Sequence, residues 1–172
     1  MVAVRGLCLA DEVSDTPIGQ GGPVTTIKVK AYAVLLDASR TRHAVWSSRD
    51  DTKRPPEFHR LLGGHVEFGE SAADAVVREI SEELGAELAG VALLGVLESR
   101  FTYGGEPGHE VAFVHVGDLP EHVVPDAGGW YDDGGPIRVD WRAVATDTAT
   151  PLYPEGTQHL LDRWLASGGR RT

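Results

Sequence analysis

The sequence predicts a mixed α/β (α+β) domain in which runs of strands are each followed by a helix. Three stretches carry this expectation. Ile27 to Leu36 (IKVKAYAVLL) opens with period-two alternation and ends apolar, as a strand entering a core does. Ser71 with Asp74 three residues on forms a capping pair, and Gly85 suits the left-handed position after a helix, so Ala72 to Leu84 is framed as helical. Glu155 to Ala166 closes the chain as a second helix with Leu160, Leu161, Trp164 and Leu165 as its apolar face. The order has no regular βαβ alternation, which argues against a parallel-sheet fold.

Taken in order, Met1 to Leu9 alternates weakly through Val2, Val4, Leu7 and Leu9, a short strand at most. Asp11 to Pro23 holds two prolines and three glycines and reads as a loop, so residues 1–25 form an N-terminal strand or flexible extension and 26–172 the domain. Arg42 to Ser47 is the hairpin partner of the first core strand across the polar turn DASRT. Arg49 to Pro56 is a charged, proline-bearing loop, and Gly63 and Gly64 mark the entry to the first helix. Val91 to Tyr103 and Glu110 to Val116 are strand-like, with GGEPG supplying turn residues between them. Asp118 to Pro136 is an exposed excursion rich in Pro, Gly and Asp, and Ile137 to Val144 is a further strand.

Composition narrows the function. The chain has 172 residues, ample for a core without disulfides or a structural metal. Its formal net charge of −10 disfavours a nucleic-acid surface, which needs a basic patch to displace counterions. Any anionic substrate must therefore be attracted locally. The single cysteine, Cys8, excludes an internal disulfide and a thiolate zinc site, and reads as a small hydrophobe in a reducing compartment. No apolar run reaches the ~18 residues of a membrane span, and the N-terminus has acids too early for a signal peptide, so a cytoplasmic location is expected.

The first helix crowds Glu79, Glu82 and Glu83 onto one side, with Glu67 and Glu70 just before it. With Glu79 at 0° and ~100° per residue, Glu82 falls at roughly 300° and Glu83 at roughly 40°. Ala73, Val76, Val77, Ile80 and Leu84 fall between roughly 60° and 160°, so the acidic stripe adjoins the predicted buried one. Like charges at i,i+4 cost about 0.2–0.5 kcal/mol on an exposed helix and more where burial lowers the dielectric. A divalent cation removes that penalty. Hard oxygen donors without His or Cys point to Mg2+ or Mn2+.

Gly64, Glu70, Arg78-Glu79-Ile80, Glu82-Glu83 and Gly85 together resemble the Nudix box, G-x5-E-x7-R-E-U-x-E-E-x-G-U, where U is a bulky aliphatic. Every charged and glycine position matches, and only the last aliphatic differs, being Ala86. The resemblance implies a Nudix-type α/β/α sandwich with a mixed sheet between helices. It also implies a metal-dependent hydrolase that cleaves the pyrophosphate linkage of a nucleoside diphosphate joined to another moiety, X. On that likeness Glu79, Glu82 and Glu83 hold the metal, and the carbonyl of Gly63 is the family's usual additional ligand. Arg78 orients the carboxylates, and Glu70 ties the loop to the helix or reaches a metal. Leu62 stands where the family commonly has proline.

The general base is the residue least portable within the family. Glu98 (VLESRF) and Glu110 (GHEVAF) flank the GGEPG segment, and FTYGGEPGHEVAFVHV resembles a Nudix subgroup with a histidine–glutamate pair there, so Glu110 is preferred. A functional Glu110 is expected to face the box helix, opposite Val111 and Phe113. His109 is expected to be exposed. Arg49 and Arg60 are the candidate substrate-binding cations, with Arg100 a further one, and Tyr103, Phe101 and Trp46 the candidate base-stacking aromatics. The expected partner is a small nucleotide or other diphosphate, with no membrane and with nucleic acid disfavoured by the acidic charge, and a homodimer is compatible with the sequence. Two other uses of the fold stand beside hydrolysis. One is a nucleotide-binding or sensing module without catalysis, which has no need of the full glutamate set. The other is an isoprenoid diphosphate isomerase, which needs a catalytic cysteine that Cys8, remote from the box, supplies poorly.

Overall fold

A computed structural model describes residues 26–103, 105–132, 135–145 and 150–169. The expected N-terminal strand, the loop after it and Cys8 lie outside the described residues. The elements are β1 (Lys28–Leu36), β2 (Arg42–Arg49), β3 (Glu57–Arg60), β4 (Leu62–His65), α1 (Ala72–Leu84), β5 (Ala89–Tyr103), β6 (Glu106–Asp118), β7 (Gly129–Asp132), β8 (Pro136–Ala143), β9 (Leu152–Tyr153) and α2 (Thr157–Ala166).

All the described strands join one mixed sheet in which β1 runs parallel to β6 and antiparallel to β2 and β4. Side-chain alternation along β1 sends Ala31, Ala33 and Leu35 to one face and Tyr32, Val34 and Leu36 to the other. The first set packs with Val76, Ile80 and Leu84 of α1, and the second with Leu161 and Trp164 of α2. Helices therefore cover both faces, the α/β/α arrangement expected.

Between β1 and β2 the DASRT turn is held by Asp37, whose carboxylate accepts bonds from the Ser39 hydroxyl, the Thr41 and Arg42 amides and Arg42 Nε. β1 and β2 then pair only at Leu35–Ala44 and Leu36–His43. Beyond that point β2 pairs with β3, while β1 pairs with β4. The chain crosses from one strand to the other at buried Leu61, so the sheet splays between β1 and β3 and leaves a cleft there.

Several expectations are corrected. β3, β4 and β9 were not anticipated, being two to four residues long with no period-two signal; register against longer neighbours forms them. GGEPG is not all turn, because β6 begins at Glu106. Pro107 pairs with Thr102 and Gly108 with Phe101, whose ring lies where a Cβ of residue 108 would stand, 2.5 Å away. The Asp118–Pro136 stretch is no simple excursion, since it buries Leu119 and Val124 and contains β7. On α2, Leu161 and Trp164 are buried but Leu165 is 39% exposed, because the sheet covers only one narrow side. On α1, Ala73 and Val77 are exposed and Ala75 and Glu83 are buried. The buried arc is thus turned toward the acids, and Glu83 lies within it. Leu62 is buried and pairs with Ala33 in the β1–β4 ladder. Ala86 is likewise a core residue.

Candidate active site

α1 starts as read from the sequence. Ser71 Oγ accepts the Asp74 amide at 3.1 Å, and Gly85 closes the helix at φ 64°. These caps fix which side chains meet the β4 edge. Gly64 sits on β4 opposite Ala31, and a Cβ there would stand 2.2 Å from the Glu79 carboxyl carbon and both its oxygens. Only glycine lets Glu79 lie against the backbone at this point. Glu83 is 8% exposed, and its Oε2 accepts the Gly63 amide at 3.2 Å. Gly63 itself has φ +125°, with no room for a side chain against the Ala31 carbonyl.

Arg78 binds the acidic cluster together. Its guanidinium donates to Glu70 at 2.8 Å, Glu79 at 3.0 Å, Glu82 at 3.2 Å and the His65 carbonyl at 3.0 Å. Glu70 also accepts the Glu67 amide at 2.7 Å, so this one carboxylate ties the loop to the helix. The Arg78 bond, and then the Glu67 amide, hold the Glu70 carboxyl below the usual range. The same Glu70 bond raises Arg78 beyond its already high value. Like charge is therefore relieved in part by Arg78 itself. Among the described residues no three acidic or imidazole groups converge closely enough to enclose an ion. The donor set still fits a hard divalent cation. Glu79, Glu82 and Glu83 are carboxylates on one helix, and a side-chain-free backbone at Gly63 and Gly64 lies against two of them.

The cleft between β1 and β3 encloses about 260 Å3 and is lined by Lys28, Lys30, Lys53, Arg60 and Glu110, with aromatic walls from Phe58 and Tyr153. Glu110 is buried and accepts the Tyr32 hydroxyl at 3.2 Å. Burial is the main cause that raises the Tyr32 phenol well above its usual value. The Arg60 guanidinium reaches the Tyr32 hydroxyl at 3.4 Å and lies over the Trp46 ring, 5.3 Å from its centroid. Lys30 Nζ meets His65 Nδ1 at 3.1 Å. Burial lowers both the Lys30 ammonium and the His65 imidazole, and each also feels Glu79 and Glu110. Lys30 and His65 thus link the cleft to the helix carboxylates.

Arg78 meets Glu79 and Glu82, Glu83 meets the Gly63 amide, and Glu110 and Arg60 line the cleft between β1 and β3. Glu110 does lie opposite Val111 and Phe113, but it shares the face of Ala112 and Val114, which packs on α2. The expectation that it faces the box helix is corrected; it lies on the other side of the β1–β6 ladder. Glu98 is 64% exposed and bonded to His109 at 2.9 Å, so His109 has a partner. Arg49 is outside the cleft, held by Asp51 at 2.7 Å and Glu57 at 2.6 Å, acids two and eight residues along the chain. Arg100 is also outside it. Phe101 lines the cleft, Trp46 lies under Arg60, and the Tyr103 side chain is outside the described residues. Lys28, Lys30, Lys53, Tyr32 and His65 were missed. The alternation of Lys28, Lys30 and Tyr32 on one strand face was the signal available for three of them.

The NUDIX domain model matches residues 27–157, the span that holds both the glutamate helix and the cleft. The chain belongs to the NUDIX family. Among curated relatives, the NAD-capped RNA hydrolase NudC of Pseudomonas aeruginosa, in strains LESB58 and PAO1, is 29% identical over 112 residues. That alignment takes in 64% of this chain and 36% of the relative, so the chain spans about a third of the length of the curated relatives it matches. Solved NUDIX structures share the fold. A NUDIX hydrolase from Nitrosomonas europaea aligns with TM-score 0.59 and 20% identity over 85% of this chain and 92% of that one. A MutT NUDIX hydrolase from Burkholderia pseudomallei aligns with TM-score 0.55 and 24% identity over 80% of this chain and 97% of that one.

Proposed function

We propose that this NUDIX protein is a hydrolase, dependent on Mg2+ or Mn2+, that cleaves the pyrophosphate linkage of a nucleoside diphosphate joined to a moiety X. The observation that carries the reading is the set Glu79 and Glu82, held by Arg78, with Glu83, held by the Gly63 amide, on one helix of a chain that also has a cation-lined cleft. A sensing module needs the cleft but not three costly carboxylates.

In the reaction, water adds to one phosphorus as its bond to the bridging oxygen breaks, giving a nucleoside monophosphate and phosphorylated X. Glu79, Glu82 and Glu83, with the Gly63 carbonyl, would hold the cation, which when bound offsets charge on the phosphate oxygens and acidifies a bound water. Arg78 holds Glu79 and Glu82 in place and pins the loop through Glu70 and the His65 carbonyl. Lys30 and Arg60 attract the anionic substrate into the cleft. The water's proton needs an acceptor, and we assign it to Glu110, which stands on the α2 face of the sheet but shares the cleft with Lys30, whose ammonium feels Glu79 as well; Glu98 is the competing carboxylate.

The test is a panel of nucleoside diphosphate derivatives assayed with Mg2+, with Mn2+ and with EDTA, scoring phosphate and nucleoside monophosphate release. Turnover of at least one compound with metal and none with EDTA is expected. Turnover that survives EDTA, or none across a broad panel, refutes the proposal.

A further inference from the structure

The cleft inverts the charge balance of the chain. The sequence has 26 acids against 16 Lys and Arg, yet the cleft is lined by four cations and one acid, Glu110. Several arginines elsewhere are matched by acids, as Arg40 is by Asp118, Arg42 by Asp37 and Asp126, and Arg138 by Asp140. Among the described residues, Lys28, Lys30 and Arg60 have no carboxylate within ion-pair distance. Lys30 meets the His65 ring and Arg60 the Tyr32 hydroxyl and the Trp46 face instead. Four like charges gathered around one acid cost stability, and binding an anion there relieves the cost. Burial chiefly lowers the Lys30 ammonium; Glu110 opposes this and Arg60 and Lys28 add to it.

We infer that the cleft takes phosphoryl groups additional to the scissile pyrophosphate, so that X is itself phosphorylated, as in a nucleoside or dinucleoside polyphosphate. The inference rests on the hydrolase reading above and goes beyond it by naming X. Continuity supports it. The carboxylates that would serve the scissile linkage end at Gly64, and His65, the next residue, touches Lys30. Lys28 lies two residues along the same strand face, so Lys30 and Lys28 follow one another along the cleft. Lysines suit this task because each ammonium is a compact charge whose donors turn to suit the oxygens. Lys53 closes the far wall, 5.2 Å over the Phe58 ring and 5.1 Å over that of Tyr153. A neutral sugar leaves this charge unmatched, and the cationic nicotinamide of NAD meets repulsion.

The experiment compares diadenosine tetraphosphate with diadenosine diphosphate, which share both nucleosides and differ in the additional phosphates. For the wild-type protein with Mg2+, kcat/KM should favour the tetraphosphate by about 30-fold or more, with NAD at the low end. In Lys28→Gln/Lys53→Gln the preference should shrink to within about threefold. Equal kcat/KM for the pair, or a preference that the double substitution leaves intact, overturns the inference and leaves the hydrolase reading standing. A metal-free calorimetric titration with tripolyphosphate decides the matter without turnover. Binding at least about tenfold tighter to wild type than to the double variant supports the inference even if no compound is cleaved. Equal binding, or none to either, overturns it.

Discussion

Gly64→Ala separates the fold from the site. The added Cβ would stand 2.2 Å from three atoms of the Glu79 carboxyl group, so one of the two must move. The obstacle is the far end of a flexible side chain, and rotation of Glu79 relieves it. The stability cost is then chiefly the Arg78–Glu79 pair at 3.0 Å, a partly exposed interaction of about 0.2–1 kcal/mol. For a chain of this size ~1 kcal/mol moves Tm by about 2–4 °C. Activity should suffer far more, because misplacing one positioned group by about 1 Å costs on the order of 10²-fold. Gly63→Ala is the control. Its Cβ would stand 2.2 Å from the Ala31 carbonyl oxygen, a backbone atom of the next strand, at φ +125°. Strain alone costs on the order of 1–3 kcal/mol there, and the β1–β4 ladder must also shift. Thermal denaturation of both variants, with kcat at saturating Mg2+, tests the pair. Wild-type kcat in Gly64→Ala, or a Tm loss as large as that of Gly63→Ala, would refute the reasoning.

Glu83→Gln should lose at least about 10²-fold in kcat while metal-free Tm holds or rises, since the amide oxygen still accepts the Gly63 N–H and a like charge is gone. A clear fall in metal-free Tm would make Glu83 structural. Glu110→Gln should lower kcat by about 10²-fold with KM little changed, and Glu98→Gln should be milder; the reverse ranking moves the base to Glu98. His43 is fully buried, and desolvation, with Arg142 and His59 nearby, lowers its imidazole to about 3. Because the unfolded chain takes up this proton near the usual ~6.5 and the folded one does not, stability is full above that pH and falls as pH drops from there toward the folded value. Urea titrations should show a loss of about 1 kcal/mol per pH unit between pH 6 and pH 4 that is flattened in His43→Leu. An equal slope in the variant would assign the acid sensitivity to other groups.

The local signals and the tertiary ones divide cleanly along this chain. Ser71, Asp74 and Gly85 act on backbone within one turn of themselves, so both ends of α1 were readable, as was the hairpin turn that Asp37 holds. The spacing of Arg78, Glu79, Glu82 and Glu83 is a property of a single helix, so the acidic cluster was readable too. What covers a helix is not local. Glu83 is buried and Val77 exposed because β4 runs past one side of α1, and β4 exists only through its register with β1. The cleft has the same origin. Lys30 and Arg60 are thirty residues apart and meet because β1 and β2 part after two paired residues and the chain crosses between them at Leu61. Arg49 looked as available as Arg60 in the sequence, and the difference lay in which acids folding placed beside it. The sequence alone determined both ends of α1 and the spacing of its acids, since caps, turns and helical spacing act over a few residues. Only the tertiary structure decided which face Glu110 occupies and which cations surround it, because strand pairing joins residues that no local interaction connects.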